Sequence, residues 1–226
     1  MRFKGILLDI DNTLYEYEKT HSKALNELML YCNNKFNIPN SNILDAYNKA
    51  RKRVHIELSE TASSHNRLLY IQKMLEILNV NSVKYSLEIY EVYWNTFLEN
   101  IEVYDGVYEF LEMYKNKICL VTDLTAHIQH RKIKKIKLDD YANFAVTSEE
   151  AGKEKPHPYM FMMALEKLNL KAEDVCMIGD SFKKDIIGAS NLGIKSIWLN
   201  KEQKVELYDE NMVTEVKTFK EILELV

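Results

Sequence analysis

Two rhythms of apolar and polar positions divide the chain. Phe3 to Leu8 is mostly apolar and bounded by polar residues, the pattern of a buried strand. After Leu14 the spacing becomes helical. Ala24, Leu25, Leu28, Met29, Cys32 and Phe36 form one stripe, which ends near Asn37 and Pro39; Ile43, Tyr47, Ala50, Val54 and Leu58 form a second. Leu68, Ile71, Met74, Leu75 and Leu78 form a third, and Leu87, Tyr90, Trp94, Phe97 and Leu98 a fourth. Four amphipathic helices with short connections predict an all-α bundle whose core takes most of the aromatics, Tyr85, Tyr90, Tyr93, Trp94 and Phe97.

From Asp105-Gly106 onward, helical and strand-like segments alternate. Strands are expected at Ile118 to Val121, Phe144 to Thr147, Val175 to Ile178 and Ser196 to Leu199. Helices are expected near Val107 to Tyr114, Ala126 to Lys137 and Tyr159 to Leu168, then from Lys183 and over Phe219 to Val226. Such alternation predicts an α/β fold, a Rossmann-like doubly wound parallel sheet to which the first strand also belongs. The helical unit is then an insertion: residues 1–15 and 101–226 are expected to form the α/β core, and 16–100 an all-α, four-helix cap domain.

Composition narrows the class. Hydrophobic content of 46% and charged content of 28% are those of a globular protein, and a formal net charge of -4 excludes the basic footprint of a nucleic-acid binder. No stretch approaches a membrane span, and Asp9 interrupts the first apolar run too early for a signal peptide. Cys32, Cys119 and Cys176 show no CxxC spacing and read as small buried hydrophobes in a reducing compartment, so a cytoplasmic location is expected.

The chemistry lies at the ends of the strands. Asp9 and Asp11 follow the first. Alone they could form a turn, but the glycine and closing Glu of a calcium loop are missing. Thr122 directly follows the second strand, where it could instead cap a helix. Lys155 lies in Glu154-Lys155-Pro156-His157-Pro158, and Gly179-Asp180-Ser181 with Asp185 follows a later strand. Gly152-Lys153 lacks the hydroxyl and earlier glycine of a P-loop. In a parallel sheet all four groups converge on one edge. The run Arg131 to Lys137 reads as a solvated helix face, and His127 and His130 lack a third ligand for zinc.

In this order Asp9-Ile10-Asp11-Asn12-Thr13, Thr122, Lys155-Pro156 and Gly179-Asp180 through Asp185 resemble the motifs of the haloacid dehalogenase superfamily, in its phosphatase branch. The likeness covers essentially the whole chain, and the helical insertion resembles the family's cap. The stretch Ser148 to Pro156 with Ile197-Trp198-Leu199-Asn200 looks most like nucleotidases and sugar-phosphate phosphatases.

The resemblance implies that Asp9 is a nucleophile forming an aspartyl-phosphate and Asp11 the general acid and then base. It implies Mg²⁺ held by Asp9, the backbone carbonyl of Asp11 and Asp180, with Asp185 orienting that site. Thr122, Asp123 and Lys155 fall at the phosphate-binding positions, Lys155 being expected to lower the pKa of Asp9. Asp123 and Lys184 stand where Asn is common, and Phe182 is bulky for its place. A cap over the strand ends, hinged near Leu14 to Glu18 and Glu99 to Asp105, would admit a small phosphorylated metabolite rather than a phosphoprotein. A monomer or homodimer is expected.

Several rivals share parts of this pattern. A 2-haloacid dehalogenase needs neither Asp11 nor Asp180. A phosphomutase would use the same motifs, whereas a phosphonate hydrolase would need a cap lysine that is not identifiable. A phospho-accepting receiver module would be shorter and lack the insertion.

Overall fold

Gly5–Leu8 forms β1, buried at every position. It lies near the middle of a parallel sheet in the computed structural model, which describes residues 3–225. The other strands are β2 (Ile118–Thr122), β3 (Phe144–Thr147), β4 (Val175–Gly179), β5 (Lys195–Leu199) and β6 (Val213–Val216). Their order is β3-β2-β1-β4-β5-β6, with Leu8 level with Leu120 on one side and Ile178 on the other. The chain therefore reverses its direction of winding between β1 and β4, the place where open α/β sheets put their ligands.

Side chains on both faces of the central strands are covered, which is why these strands are continuous apolar runs. Leu7, Val121, Val146 and Met177 pack with Met160, Phe161 and Ala164 of the helix Pro158–Leu168. On the far side of the sheet order, Ile186, Trp198 and Val213 form a smaller cluster. Each such aliphatic burial contributes about 1.5–3 kcal/mol, and the sum makes β1 and β4 a firm base for whatever follows their last residues.

Strand β6 was not expected from the pattern. It is a short edge strand whose buried residues, Val213 and Val216, flank the more exposed Thr214 and Glu215, so no apolar run announces it. The terminal helix covers Phe219–Ile222, shorter than the expected Phe219 to Val226; Val226 lies outside the described residues.

The chain divides into two compact units, Met1–Glu16 with Glu102–Val226, and Tyr17–Ile101. The second contains helices α1 (Tyr17–Phe36), α2 (Asn40–Glu57), α3 (Arg67–Ile77) and α4 (Ser82–Glu99), with α1 packed on α4 and α2 on α3. Asn66 caps α3 by accepting from the Leu68 amide at 2.9 Å, and Asn81 caps α4 by accepting from the Lys84 amide at 3.0 Å. Ile89, Tyr93, Trp94 and Phe97 set the buried face of α4. Leu87, assigned to that stripe by spacing, is exposed at its margin.

His21 on α1 is buried in this unit, 2.7 Å from the Tyr93 hydroxyl. Burial first, then Arg67 and Arg51, push its imidazole down to about 3. The folded state thus holds His21 neutral while the unfolded chain protonates near its ordinary value. Its contribution is fully present above pH ~6.5 and is lost as the pH falls toward 3, by up to about 1.4 kcal/mol per pH unit. Urea unfolding at a series of pH values should show this acid loss in the native protein and a shallower slope in His21→Phe. Equal slopes would contradict it.

Candidate active site

The amide of Asp9 donates to the Ile178 carbonyl at 3.0 Å, extending the β1–β4 ladder and fixing the carboxylate at the strand end. Its Oδ1 accepts from Lys155 Nζ at 2.7 Å and its Oδ2 from the Thr13 hydroxyl at 2.7 Å. Thr13 in turn accepts from the Asp180 amide at 3.1 Å, so one hydroxyl ties the acid after β1 to the loop after β4. Asn12 takes the left-handed conformation (φ 64°) that Asn tolerates, which lets the chain turn back between Asp11 and Thr13.

Lys155 is the charged hub. Besides Asp9, its Nζ donates to Asp185 Oδ1 at 2.7 Å and to the Val121 carbonyl at 2.9 Å. Asp185 is fixed at its other oxygen by the Ser181 amide at 3.0 Å. Gly179 makes this possible, because a Cβ there would meet Asp185 Oδ2 at 2.3 Å and Cγ at 2.4 Å. Gly179→Ala should displace that carboxylate, costing about 1–3 kcal/mol of stability together with most of the activity. Urea midpoints and turnover rates like those of the unmodified protein would contradict this.

Carboxylate oxygens of Asp9, Asp180 and Asp185 lie within 4.8 Å of one another. Three acids around one ammonium leave a surplus of two negative charges. The electrostatics register it: burial, then Asp185, push Asp180 up to about 7. For Asp9, Lys155 pulls downward as expected, yet burial and the neighbouring Asp185 and Asp180 outweigh it, so its pKa lies well above the ordinary value rather than below. Lys155 is also buried, but Asp185 and Asp9 more than offset the desolvation and hold it protonated. An all-oxygen donor set short of two positive charges fits a hard divalent cation such as Mg²⁺.

Asp11 points into a different set of donors. Lys132 Nζ lies 2.7 Å from each of its carboxylate oxygens, Gln129 donates at 3.1 Å, and the Tyr15 hydroxyl also donates. Burial would raise the Asp11 pKa, but Lys132 and these hydrogen bonds bring it below the ordinary value. Gln129 bonds the Thr122 hydroxyl at 2.8 Å as well, linking Asp11 to the end of β2.

Lys132 corrects the reading of Arg131 to Lys137 as wholly solvated. It is fully buried on the helix Ala126–Lys135, beside Ile128, Gln129 and Ile133. The signal was present, since residues 128, 129, 132 and 133 share one helix face.

Asp123 and Lys184 are partners: Lys184 Nζ lies 2.7 Å from Asp123 Oδ2, while Asp123 Oδ1 accepts from the Lys155 amide at 3.0 Å. One oxygen of this extra carboxylate thus holds the Lys155 backbone, and the other pairs with Lys184. Leu124 beyond it adopts φ 96°, a conformation rare for a bulky residue, with its amide held by the Ser148 hydroxyl at 2.9 Å.

The parallel sheet thus carries acids at the ends of β1 and β4 with a buried lysine between them. The family profile described as haloacid dehalogenase-like hydrolase matches residues 6–199, and the chain belongs to that family. It is 31% identical over 199 residues to a protein named ribulose-1,5-bisphosphate 5-phosphatase of Halopiger xanaduensis, covering 85% of this chain and 83% of the relative. It is 26% identical over 205 residues to the pyrimidine 5'-nucleotidase YjjG of Escherichia coli, covering 88% and 87%. In fold it is similar to Bacillus subtilis YfnB in a structure bound to magnesium, with a TM-score of 0.72, 20% identity, and coverage of 100% of this chain and 99% of that one. Among the described residues no helix is long and apolar enough to cross a membrane.

Proposed function

We propose that the chain is a Mg²⁺-dependent phosphatase of small soluble phosphomonoesters acting through an aspartyl-phosphate on Asp9. The observation that carries the reading is the Asp9 carboxylate, fixed at the end of β1 between Lys155 and Thr13 and beside Asp180.

In the first half-reaction an Asp9 oxygen attacks phosphorus, the bond to the leaving oxygen breaks, and Asp11 gives that oxygen its proton. In the second, Asp11 takes a proton from water, the water oxygen attacks phosphorus, and the Asp9–phosphorus bond breaks to release inorganic phosphate. The arrangement with Lys132 is the ionised form of Asp11, suited to the second step. The first requires Asp11 to carry a proton and to turn from Lys132 toward the leaving oxygen.

Thr122 offers a hydroxyl, and Lys155 positive charge, to the phosphoryl oxygens. Asp123 serves the phosphate site by holding the Lys155 backbone and Lys184. Asp9, the Asp11 carbonyl and Asp180 would hold Mg²⁺, which supplies charge between two anionic reactants, while Asp185 orients Lys155 and the loop after β4. The substrate class is supported by the relatives' names, a sugar bisphosphate phosphatase and a nucleotidase. We place the protein in the cytoplasm.

The test is a phosphate-release screen with Mg²⁺ across nucleotides, sugar phosphates, phosphoglycolate and a phosphopeptide. Expected is turnover of one or a few small esters, abolished by excess EDTA and restored by Mg²⁺. Full activity in EDTA would overturn the metal assignment, and comparable kcat/KM on the phosphopeptide would overturn the substrate class. Metal-free dehalogenation of a 2-haloacid without phosphate release would favour the family's other chemistry.

A further inference from the structure

The side-chain amide of Gln129 serves three oxygens and leaves one of its own atoms unpaired. The residue is fully buried on the helix Ala126–Lys135. Its Nε2 lies 2.7 Å from the Asp123 carbonyl, 2.8 Å from the Thr122 hydroxyl and 3.1 Å from Asp11 Oδ2. Its Oε1 is buried too, and has no hydrogen-bond partner among the described residues.

The chemistry of the three partners fixes which way the amide faces. A backbone carbonyl accepts and never donates, and the Asp11 carboxylate paired with Lys132 is an acceptor as well. Turning the amide over would set Oε1 against both of them. Only the Thr122 hydroxyl pairs with either end, and one hydroxyl does not outweigh two lost acceptors. The nitrogen therefore faces the three oxygens, and the unpaired Oε1 is the consequence.

That orientation decides where the Thr122 proton goes. Its hydroxyl oxygen accepts from Gln129, so its own O–H points elsewhere. One protein acceptor is left to it among the described residues, the Asp123 carbonyl at 3.3 Å, which is long for an O–H donor. Gln129 draws on the same carbonyl from closer in. An anionic oxygen at the end of β2 is the stronger acceptor.

We propose that Gln129 is a positioning residue that frees the Thr122 O–H to donate to a phosphoryl oxygen. The identity of that anion rests on the phosphatase reading. Without the amide, the Thr122 hydroxyl is free to turn to the Asp123 carbonyl, and the anion loses its donor.

The test titrates inorganic phosphate, in the presence of Mg²⁺, into the full-length protein by calorimetry. Four forms are compared: unmodified, Thr122→Val, Gln129→Met and the double variant. Thr122→Val should weaken the phosphate Kd about tenfold, and Gln129→Met should weaken it severalfold. In the Thr122→Val background, Gln129→Met should change Kd less than about twofold, because no hydroxyl is left to aim. A side chain that only supports the fold would weaken both backgrounds alike. That result overturns the proposal, as does an unchanged Kd in Gln129→Met or no phosphate binding by the unmodified protein.

A neutron structure of the unmodified protein gives a readout that needs no substitution. Two deuterons are expected on the Gln129 atom nearest Thr122, with the Thr122 deuteron pointing away from it. An oxygen there, accepting from Thr122, overturns the proposal. Coupled losses of phosphate binding with no turnover of any ester leave the aimed hydroxyl standing and refute the phosphatase reading. Turnover with independent losses does the reverse.

Discussion

Asp9→Asn is expected to abolish turnover, lowering kcat on the order of 10⁴-fold or more, while the fold survives. An amide is not a competent nucleophile toward phosphorus. It can still serve the local hydrogen bonds, its carbonyl accepting from Lys155 and its NH₂ donating to the Thr13 hydroxyl, the two groups that now contact the carboxylate. One negative charge also leaves a cluster of Asp9, Asp180 and Asp185 that has too many. Stability should therefore hold or rise. Near-native phosphate release by the folded variant would refute the nucleophile, and an unfolded variant would refute the description of its surroundings.

Lys155→Met should carry the largest stability penalty. Lys155 is buried and joins Asp9, Asp185 and the Val121 carbonyl, so its loss leaves two carboxylates facing each other without a cation. Removing one partner of a buried ionic cluster costs about 3–5 kcal/mol. Activity should vanish with it, because the charge facing the phosphoryl oxygens is gone.

Asp9 already has a pKa raised by burial and by the neighbouring acids, and losing Lys155 removes the charge that opposes this, so the deficit is greatest near neutrality and shrinks as the pH falls toward 4. Adding Asp185→Asn should recover part of the loss. Urea unfolding across that range measures both, and a deficit independent of pH would contradict the charge argument.

Much of the α/β fold was legible because its strands are buried on both faces. Runs such as Ile118 to Val121 and Val175 to Ile178 admit little else, and an acid directly after such a run stands out. The four helices were legible from period, although Leu87 proved a marginal member of its stripe.

What could not be read falls into three kinds. Strand β6 gains its place from the sheet edge and not from its own pattern. Lys132 sits in a charged run whose composition resembles a solvated face, with Gln129 just before that run, and only the phase of the helix reveals their burial. The partnership of Asp123 with Lys184 is a third case, because each looked anomalous alone. They lie 61 residues apart in sequence, and only the folded chain brings them together.

Covalent capture of the phosphorylated enzyme tests the mechanism most directly. Asp11→Asn should slow both half-reactions by about 10²–10⁴-fold, leaving time to quench with acid after mixing with the best ester from the screen. Intact mass and peptide mapping should then find one added phosphoryl group, on Asp9 and nowhere else, and absent from the Asp9→Asn variant. Steady release of phosphate with no phosphoryl group on Asp9 at any quench time would contradict the mechanism.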